Sequence, residues 1–123
     1  MDDTDKIHKS EIMPLLPLRN MVLFPTTILP VTVGRKSSQK LIDAVKKTPK
    51  ARIAVVCQKD PKIEEPGIDD VYTIGTTATI ARVLEMPDNT TTVILQGMQK
   101  IELESIYSDR PYFKGAVSSI DRK

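Results

Sequence analysis

The sequence predicts a mainly β domain of the α+β class, in which about six to seven short strands form a closed or half-closed β-barrel and one α-helix covers an opening. Three observations predict this fold. Short apolar, β-branched segments recur along the chain, turns rich in glycine, proline or asparagine separate them, and only one segment has helical periodicity. A chain of 123 residues is long enough to bury a core of its own. We expect residues 1–11 to form a disordered polar tail and residues 12–123 to form the domain.

The domain opens on an apolar segment, residues 14–25, that contains three prolines. Because proline lacks an N–H donor and fixes φ, these prolines exclude a helix and argue against a central strand. We therefore expect an extended edge segment in which Leu16, Leu18 and Phe24 close the barrel. The remaining apolar surface could accept an extended unfolded chain by strand addition. The candidate protein-binding residues on that surface are Leu15, Pro17, Met21 and Pro25.

The next strands differ in their surroundings. Residues 28–33 are predicted to form an edge strand, because Pro30 limits its pairing and Gly34 ends it. Residues 53–57 form a continuous apolar run that is short and β-branched, which indicates a strand buried on both faces.

The predicted helix lies between these two strands. Ser37 or Ser38 is the expected N-cap, and the helix should end at Thr48, because the residue before a proline disfavours the α-helical conformation. One apolar stripe follows the spacing i, i+3, i+4 and i+7. It consists of Ser38, Leu41, Ile42 and Val45.

The second half of the chain has a β pattern. Residues 60–70 are expected to form a loop too polar to pack, and residues 71–86 a long strand that Gly75 bends or bulges. Residues 87–90 then reverse the chain, since proline sets φ and Asp or Asn tolerates the left-handed conformation. Gly97 is expected to separate a strand of residues 91–96 from one of residues 100–104, and residues 109–111 are expected to turn the chain into a last strand, residues 112–120.

Two kinds of sulfur-containing residue have structural interpretations. Cys57 lies within an apolar run and is expected to be an inert core residue. The methionines are expected mainly to fill the core, the alternative being an adaptable apolar surface for varied ligands. The methionines considered are Met13, Met21, Met86 and Met98.

Most of the chain, from about residue 12 to residue 103, resembles the N-terminal domain of the ATP-dependent protease Lon, bacterial type. The separate motifs that carry this resemblance occur in the same order as in the family, which makes the match specific. They are PLLPLRNMVLFP at residues 14–25, VGRKS at 33–37, QKD at 58–60, EPGIDDVYTIGT at 65–76, LEMPD at 84–88 and QG at 96–97.

The resemblance implies a PUA-like pseudo-barrel and a substrate-recognition role. The family's parent protein is an ATP-dependent serine endopeptidase, a homohexamer that degrades misfolded and selected regulatory proteins in protein quality control and the stress response. The resemblance implies that this fragment binds unfolded or degron-bearing proteins and other Lon subunits. The family's helical N-domain portion, AAA+ ATPase and Ser–Lys protease domains, with their ATP and Mg, are absent from these residues. The chain is therefore expected to be a truncated fragment.

No catalytic chemistry is predicted for the fragment. The sequence lacks a Gly-rich phosphate loop ending in Lys and Ser or Thr, and it lacks a Gly-x-Ser-x-Gly elbow. The single histidine, His8, lies in the polar tail, and the acidic residues between 64 and 70 lack the alternating pattern of a calcium loop. We assign no catalytic, cofactor-binding or metal-binding residue and expect no cofactor in the fragment.

Two alternatives stay open. The basic stretch of residues 35–62 and the barrel would fit a nucleic-acid-binding module, although aromatic residues for base stacking are few. A stand-alone LON-domain protein without a protease is the other alternative. A cytoplasmic location is expected, because a single cysteine fits a reducing compartment, the first residues lack a signal peptide, and no apolar run could span a membrane.

Overall fold

Six β-strands, one α-helix and a 3-10 turn make up the part of the chain that the computed structural model describes, residues 11–34, 36–48, 51–64, 66–107 and 112–120. His8 and the rest of the predicted tail up to residue 10 lie outside these ranges. The elements are β1 (Glu11–Leu18), β2 (Ile28–Val33), α1 (Lys36–Val45), β3 (Arg52–Cys57), the 3-10 turn (Ile68–Asp70), β4 (Ile74–Glu85), β5 (Thr91–Tyr107) and β6 (Lys114–Ser119).

The strands form one sheet that closes on itself. Their order is β2-β5-β4-β3-β1-β6, and β6 also pairs with β5, so that β1, β3, β4, β5 and β6 make a ring. Strand β2 pairs only with the first half of β5 and is an edge strand, as predicted. All pairings are antiparallel except that of β1 with β3. The predicted fold class, a mainly β pseudo-barrel with one helix, is confirmed.

Strands β1 and β3 lie between two hydrophobic cores. Successive side chains of a strand point to opposite faces, and here both faces are buried. Leu15 and Val56 belong to one cluster, the barrel core, whereas Leu16 and Val55 belong to the other, the helix-side core. The barrel core also contains Met13, Ala54, Val71, Ile101, Leu103, Phe113 and Val117, and the helix-side core contains Leu18, Leu23, Val31, Val33, Leu41, Ile42, Ile53, Ala78, Val93 and Leu95.

The expectation that the opening segment avoids a central position is wrong for β1. This strand pairs with β6 through residues 11–14 and with β3 through residues 15–18. The Leu15 amide donates to Phe113, on the β6 side, and the Leu18 carbonyl accepts from Gln58, on the β3 side. Successive backbone groups of a strand point to alternate sides, so the nitrogen of Pro17 faces the β6 side, where the pairing of β1 with β6 has already ended. The nitrogen of Pro14 faces the β3 side, where the pairing of β1 with β3 has not yet begun. Neither proline therefore removes a ladder hydrogen bond.

The helix carries its predicted stripe, but it begins earlier than expected. Ser37 and Ser38 lie inside α1, which starts at Lys36, so neither is the N-cap. Ser38, Leu41 and Ile42 are buried and Val45 is partly buried, as an amphipathic helix on a core requires. The helix ends at Val45, before the expected Thr48. Within the described ranges, no helix is long and apolar enough to cross a bilayer.

Gly75 and Gly97 permit close crossings of backbone, and Gly97 does not break its strand as predicted. The predicted irregularity of β4 lies directly after Gly75, where the β4–β5 register shifts between Thr76 and Ala78, and a second shift lies between Ile80 and Arg82. A Cβ at Gly75 would overlap the carbonyl oxygen of Val55, and β5 continues without a break through Gly97. The loop of residues 60–70 also packs, because Pro66 is buried and Ile68 contacts the barrel core.

Replacing Gly97 tests this close crossing. A Cβ there would overlap the Phe24 carbonyl oxygen and approach the Leu23 side chain, so Gly97→Ala should lower the free energy of unfolding by about 1–3 kcal/mol. The matched control is Gly34→Ala, where a Cβ meets nothing within 4 Å. Urea denaturation of both variants measures the difference, and equal stability would contradict the role assigned to Gly97.

The β4–β5 turn makes a pH-dependent contribution to stability. Asn89 adopts φ 71°, as predicted for this turn, and the Asp88 carboxylate accepts from the Thr90 hydroxyl (2.6 Å) and amide (3.1 Å). These hydrogen bonds lower the pKa of Asp88 from its ordinary value of 3.8.

Because the folded pKa is depressed, the stabilisation is present above the unfolded value and is lost as pH falls through the folded one. Asp88→Asn should therefore be less stable than the parent at neutral pH, and the gap should close in acid. Urea denaturation across a pH series measures the gap. A gap that stays constant into acid would show that the carboxylate charge contributes nothing.

Candidate protein-binding clefts

The chain between β1 and β2 is fastened at two points to the strands it crosses. We call residues 19–27 the crossing segment. The carbonyl of buried Leu23 accepts from the Thr76 hydroxyl at 2.8 Å. At the other end, Gly97 exchanges backbone hydrogen bonds with Thr26 (3.0 Å) and Thr27 (2.8 Å). Leu23 is therefore held inward, and its neighbours in the crossing segment lie on the surface.

One cleft, the β2 cleft, lies between the end of β1 and β2 and has a volume of about 580 Å³. Arg19 and Glu64, which line it, form an ion pair at 3.5 Å. The lining mixes polar and apolar groups, and it includes Met21 and the exposed Pro30. The other lining residues are Leu16, Pro17, Leu18, Asn20, Val31, Thr32, Val33, Gly34 and Ser38.

A smaller cleft of about 280 Å³, the apolar cleft, lies between the crossing segment and the start of β4. Large hydrophobic side chains at its rim are exposed to solvent: Val22 by 52%, Phe24 by 62%, Tyr72 by 56% and Ile74 by 50%. The rest of the lining is Leu23, Pro25, Val55, Val56, Cys57, Gly75, Thr76 and Lys100. A cluster of exposed hydrophobic residues around a concavity is typical of a protein-interaction site.

The charge at the apolar cleft is positive. Lys100 is the only charged residue among the described residues that line it, and the Lys59 ammonium lies 5.9 Å from the centre of the Tyr72 ring. Cys57 is half-buried and lines this cleft, so its predicted placement wholly within the core is corrected. The strand it ends is buried on both faces, but its side chain comes last and reaches the surface.

The structure separates the candidate residues predicted from the opening segment. Leu15 is only 1% exposed and Pro17 is buried, so their predicted exposure is wrong. Leu15 packs in the barrel core and Pro17 pairs with β3. Met21 is 38% exposed and lines the β2 cleft, whereas Pro25 is half-buried and lines the apolar cleft.

Sequence reasoning missed most of the apolar rim. Phe24 was expected to close the barrel, yet it is exposed because the adjacent Leu23 takes the inward position. The alternation of Val22, Leu23 and Phe24 was the available signal. The sequence carried no such signal for Tyr72 and Ile74, because they reach the cleft only where segments distant in sequence cross. Of the methionines expected to fill the core, Met13 does so, and Met21, Met86 and Met98 are exposed.

Two residues of the basic stretch are already ion-paired. Lys46 pairs with Asp43 (3.3 Å) and Glu85 (3.7 Å), and Arg52 pairs with Glu11 (3.0 Å). These pairs reduce the positive charge available for phosphates. In the part of the chain that the structure describes, no group of three or more His, Cys, Asp or Glu side chains is placed to hold a metal ion.

Comparison with known proteins gives consistent matches. The family model of the ATP-dependent protease La (LON) substrate-binding domain matches residues 12–123. The chain is 49% identical over 122 residues to Lon protease of Parabacteroides distasonis, covering 98% of this chain and 15% of that protein. It is 48% identical over 110 residues to Lon protease of Porphyromonas gingivalis, covering 89% of this chain and 13% of that protein. The chain thus spans a small part of these relatives' length.

Solved structures share the fold. The N-terminal domain of Mycobacterium avium complex Lon protease superposes with a TM-score of 0.74 at 14% identity, covering 92% of this chain and 56% of that one. A Lon N-terminal domain protein from Xanthomonas campestris gives 0.70 at 19% identity, covering 90% and 60%.

Two substitutions distinguish core from surface in the opening segment. Leu15→Ala should lower the free energy of unfolding by about 2–5 kcal/mol, because it leaves a cavity in the barrel core. Met21→Ala should change it by no more than about 0.5 kcal/mol, because that side chain is exposed. Urea denaturation measures both values, and a large loss for Met21→Ala would contradict its surface position.

Proposed function

Because this chain belongs to the family of ATP-dependent protease La (LON) substrate-binding domains, we propose that it is a non-catalytic module that captures unfolded or degron-bearing proteins for proteolysis. The observation that carries the proposal is the apolar cleft with its exposed rim. Unfolded proteins expose apolar segments that folded proteins bury, so a cleft of this kind discriminates between them.

The cleft fits side chains of an extended segment. Its volume of about 280 Å³ is just below the range of about 300–1,000 Å³ that is usual for small-ligand pockets. Each large apolar side chain that leaves water on binding contributes about 1.5–3 kcal/mol before the cost of ordering the segment. A single domain would therefore bind weakly, and it would recognise apolar character without reading a strict sequence.

We place the domain in a longer cytoplasmic protein that is an ATP-dependent serine endopeptidase. The support is that the relatives named Lon protease are several times longer than this chain. In this proposal the AAA+ ATPase and Ser–Lys protease domains supply ATP and Mg binding and peptide hydrolysis. Assembly as a homohexamer would present several apolar clefts to one client and raise the overall affinity through avidity. The setting is protein quality control and the stress response.

The apolar rim is the part to test. Phe24→Ser should weaken the binding of a fluorescent, reduced and carboxymethylated lactalbumin by about tenfold, which corresponds to about 1.4 kcal/mol of lost apolar burial. The matched control is Tyr107→Ser, an exposed aromatic residue outside both clefts. Fluorescence anisotropy gives both affinities. Equal weakening by the two variants, or by neither, would contradict the assignment to the cleft.

A second measurement locates the bound client directly. Cys57 is the only cysteine of the chain and lines the apolar cleft, so its rate of reaction with a thiol reagent reports occupancy. The carboxymethylated probe has no free thiol, and at one probe concentration it should slow that reaction more in the parent protein than in Phe24→Ser.

Binding through the basic stretch would give a different pattern of mutational effects. If Lys40→Glu with Lys47→Glu abolished binding while Phe24→Ser and Met21→Glu kept it, the basic stretch would be the site. Binding through phosphates or other anions would also fall steeply with salt, whereas apolar capture would not.

A further inference from the structure

We propose that the apolar cleft selects segments in which a carboxylate, from Asp, Glu or a chain terminus, lies next to the apolar residues. This inference rests on the proposed function, because it assumes that the cleft binds extended protein segments. It identifies the kind of segment by charge, because the described residues that line the cleft include one cationic side chain, Lys100, and no carboxylate.

The two lysines at the cleft have no ion-pair partner among the described residues, whereas three other basic residues do. Arg19, Lys46 and Arg52 each lie within 4.0 Å of a carboxylate oxygen. In the described ranges, neither Lys59 nor Lys100 takes part in an ion pair. Their charges remain available to a bound segment, one over the Tyr72 ring and one in the wall of the cleft.

Strand register places Lys100 where a bound segment would meet it. Lys100 lies opposite Thr76, whose hydroxyl holds the crossing segment through Leu23. Its exposed side chain therefore stands on the outer face of the barrel, on the same face as that crossing point. Apolar side chains that enter between Phe24 and Ile74 would bring a neighbouring carboxylate toward this ammonium.

The carboxylates of the protein near the cleft offset this charge only in part. Glu102 lies opposite Ile74 and on the same face as Lys100, but it is not in the lining. Asp70 accepts from the Gly67 amide at 2.8 Å and is engaged within its own turn, next to the exposed Asp69. Glu102 should therefore weaken the selection that Lys100 produces.

Peptides that share one apolar core and differ only in flanking Asp, Asn or Lys residues test the inference by fluorescence anisotropy. We expect the Asp-flanked peptide to bind about three- to fivefold more tightly than the Asn-flanked one, and the Lys-flanked peptide to bind most weakly. The preference should shrink as salt rises, because an exposed pair is screened.

Variants assign the preference to residues. Lys100→Glu should reverse the order of the Asp- and Lys-flanked peptides, Lys59→Glu should reduce the difference, and Glu102→Gln should enlarge it. The matched control is Lys47→Glu, an exposed lysine just beyond α1 and outside both clefts, which should leave the order unchanged.

The outcomes separate the inference from the proposed function. If the Asn-flanked peptide binds and the Asp-flanked one binds no better, charge selection is wrong and apolar capture stands. If the order of the peptide affinities is unchanged in Lys100→Glu, another part of the protein recognises the charge and the inference is also wrong. If no peptide of the set binds, the proposed function fails together with it.

Discussion

The parallel pairing of β1 with β3 is the constraint on which the rest of the structure depends. These neighbouring strands have no solvent-facing side through most of their shared length, so consecutive residues serve alternate cores. A slip of one residue would exchange the side chains of the two cores, and the burial of both faces therefore fixes the register. The barrel closes on one face of this pair, and α1, β2 and the first half of β5 cover the other.

The path of the chain after β1 produces the two clefts. After Leu18 the crossing segment has to pass over β4 and β5 to reach β2, and it does so at backbone distance because Gly97 carries no side chain. Leu23 fills the helix-side core, and since neighbouring residues cannot share its inward direction, Val22 and Phe24 are left in water. The exposed rim is thus a geometric consequence of anchoring a short segment at one buried leucine. Exposing these hydrophobic side chains lowers the solubility of a protein, a cost that is typical of interaction surfaces.

Local features of the sequence predicted most of the elements, and the failures share a cause. The apolar stripe of α1, the edge position of β2 and the left-handed Asn89 each depend on chemistry within a few residues. The central position of β1 depends on two partner strands, β3 and β6, that are distant in sequence. The prolines of β1 are acceptable only because β6 pairs with its first half and β3 with its second half. Gly75 and Gly97 look like strand breakers, although each makes room for another part of the backbone.

The candidate site was less predictable than the fold for the same reason. Met21 and Pro25 were recognisable as surface residues, yet they line different clefts. Tyr72, Ile74 and Lys100 join the crossing segment only through the β3–β4 and β4–β5 pairings, and Phe24 changes from core to surface through one step of alternation. Composition identifies the hydrophobic residues but does not show which way their side chains point.

A small cleft suits the proposed role. Under the proposed function, a client captured for unfolding would have to be released from the domain while an ATPase motor pulls it, so a deep, tight pocket would oppose translocation. In the proposed homohexamer, weak contacts on each copy would resolve this conflict, since avidity would hold a client that engages many domains while each single contact still breaks quickly. A positive charge at the rim adds long-range attraction without adding buried area, and it therefore raises the rate of encounter more than it slows release.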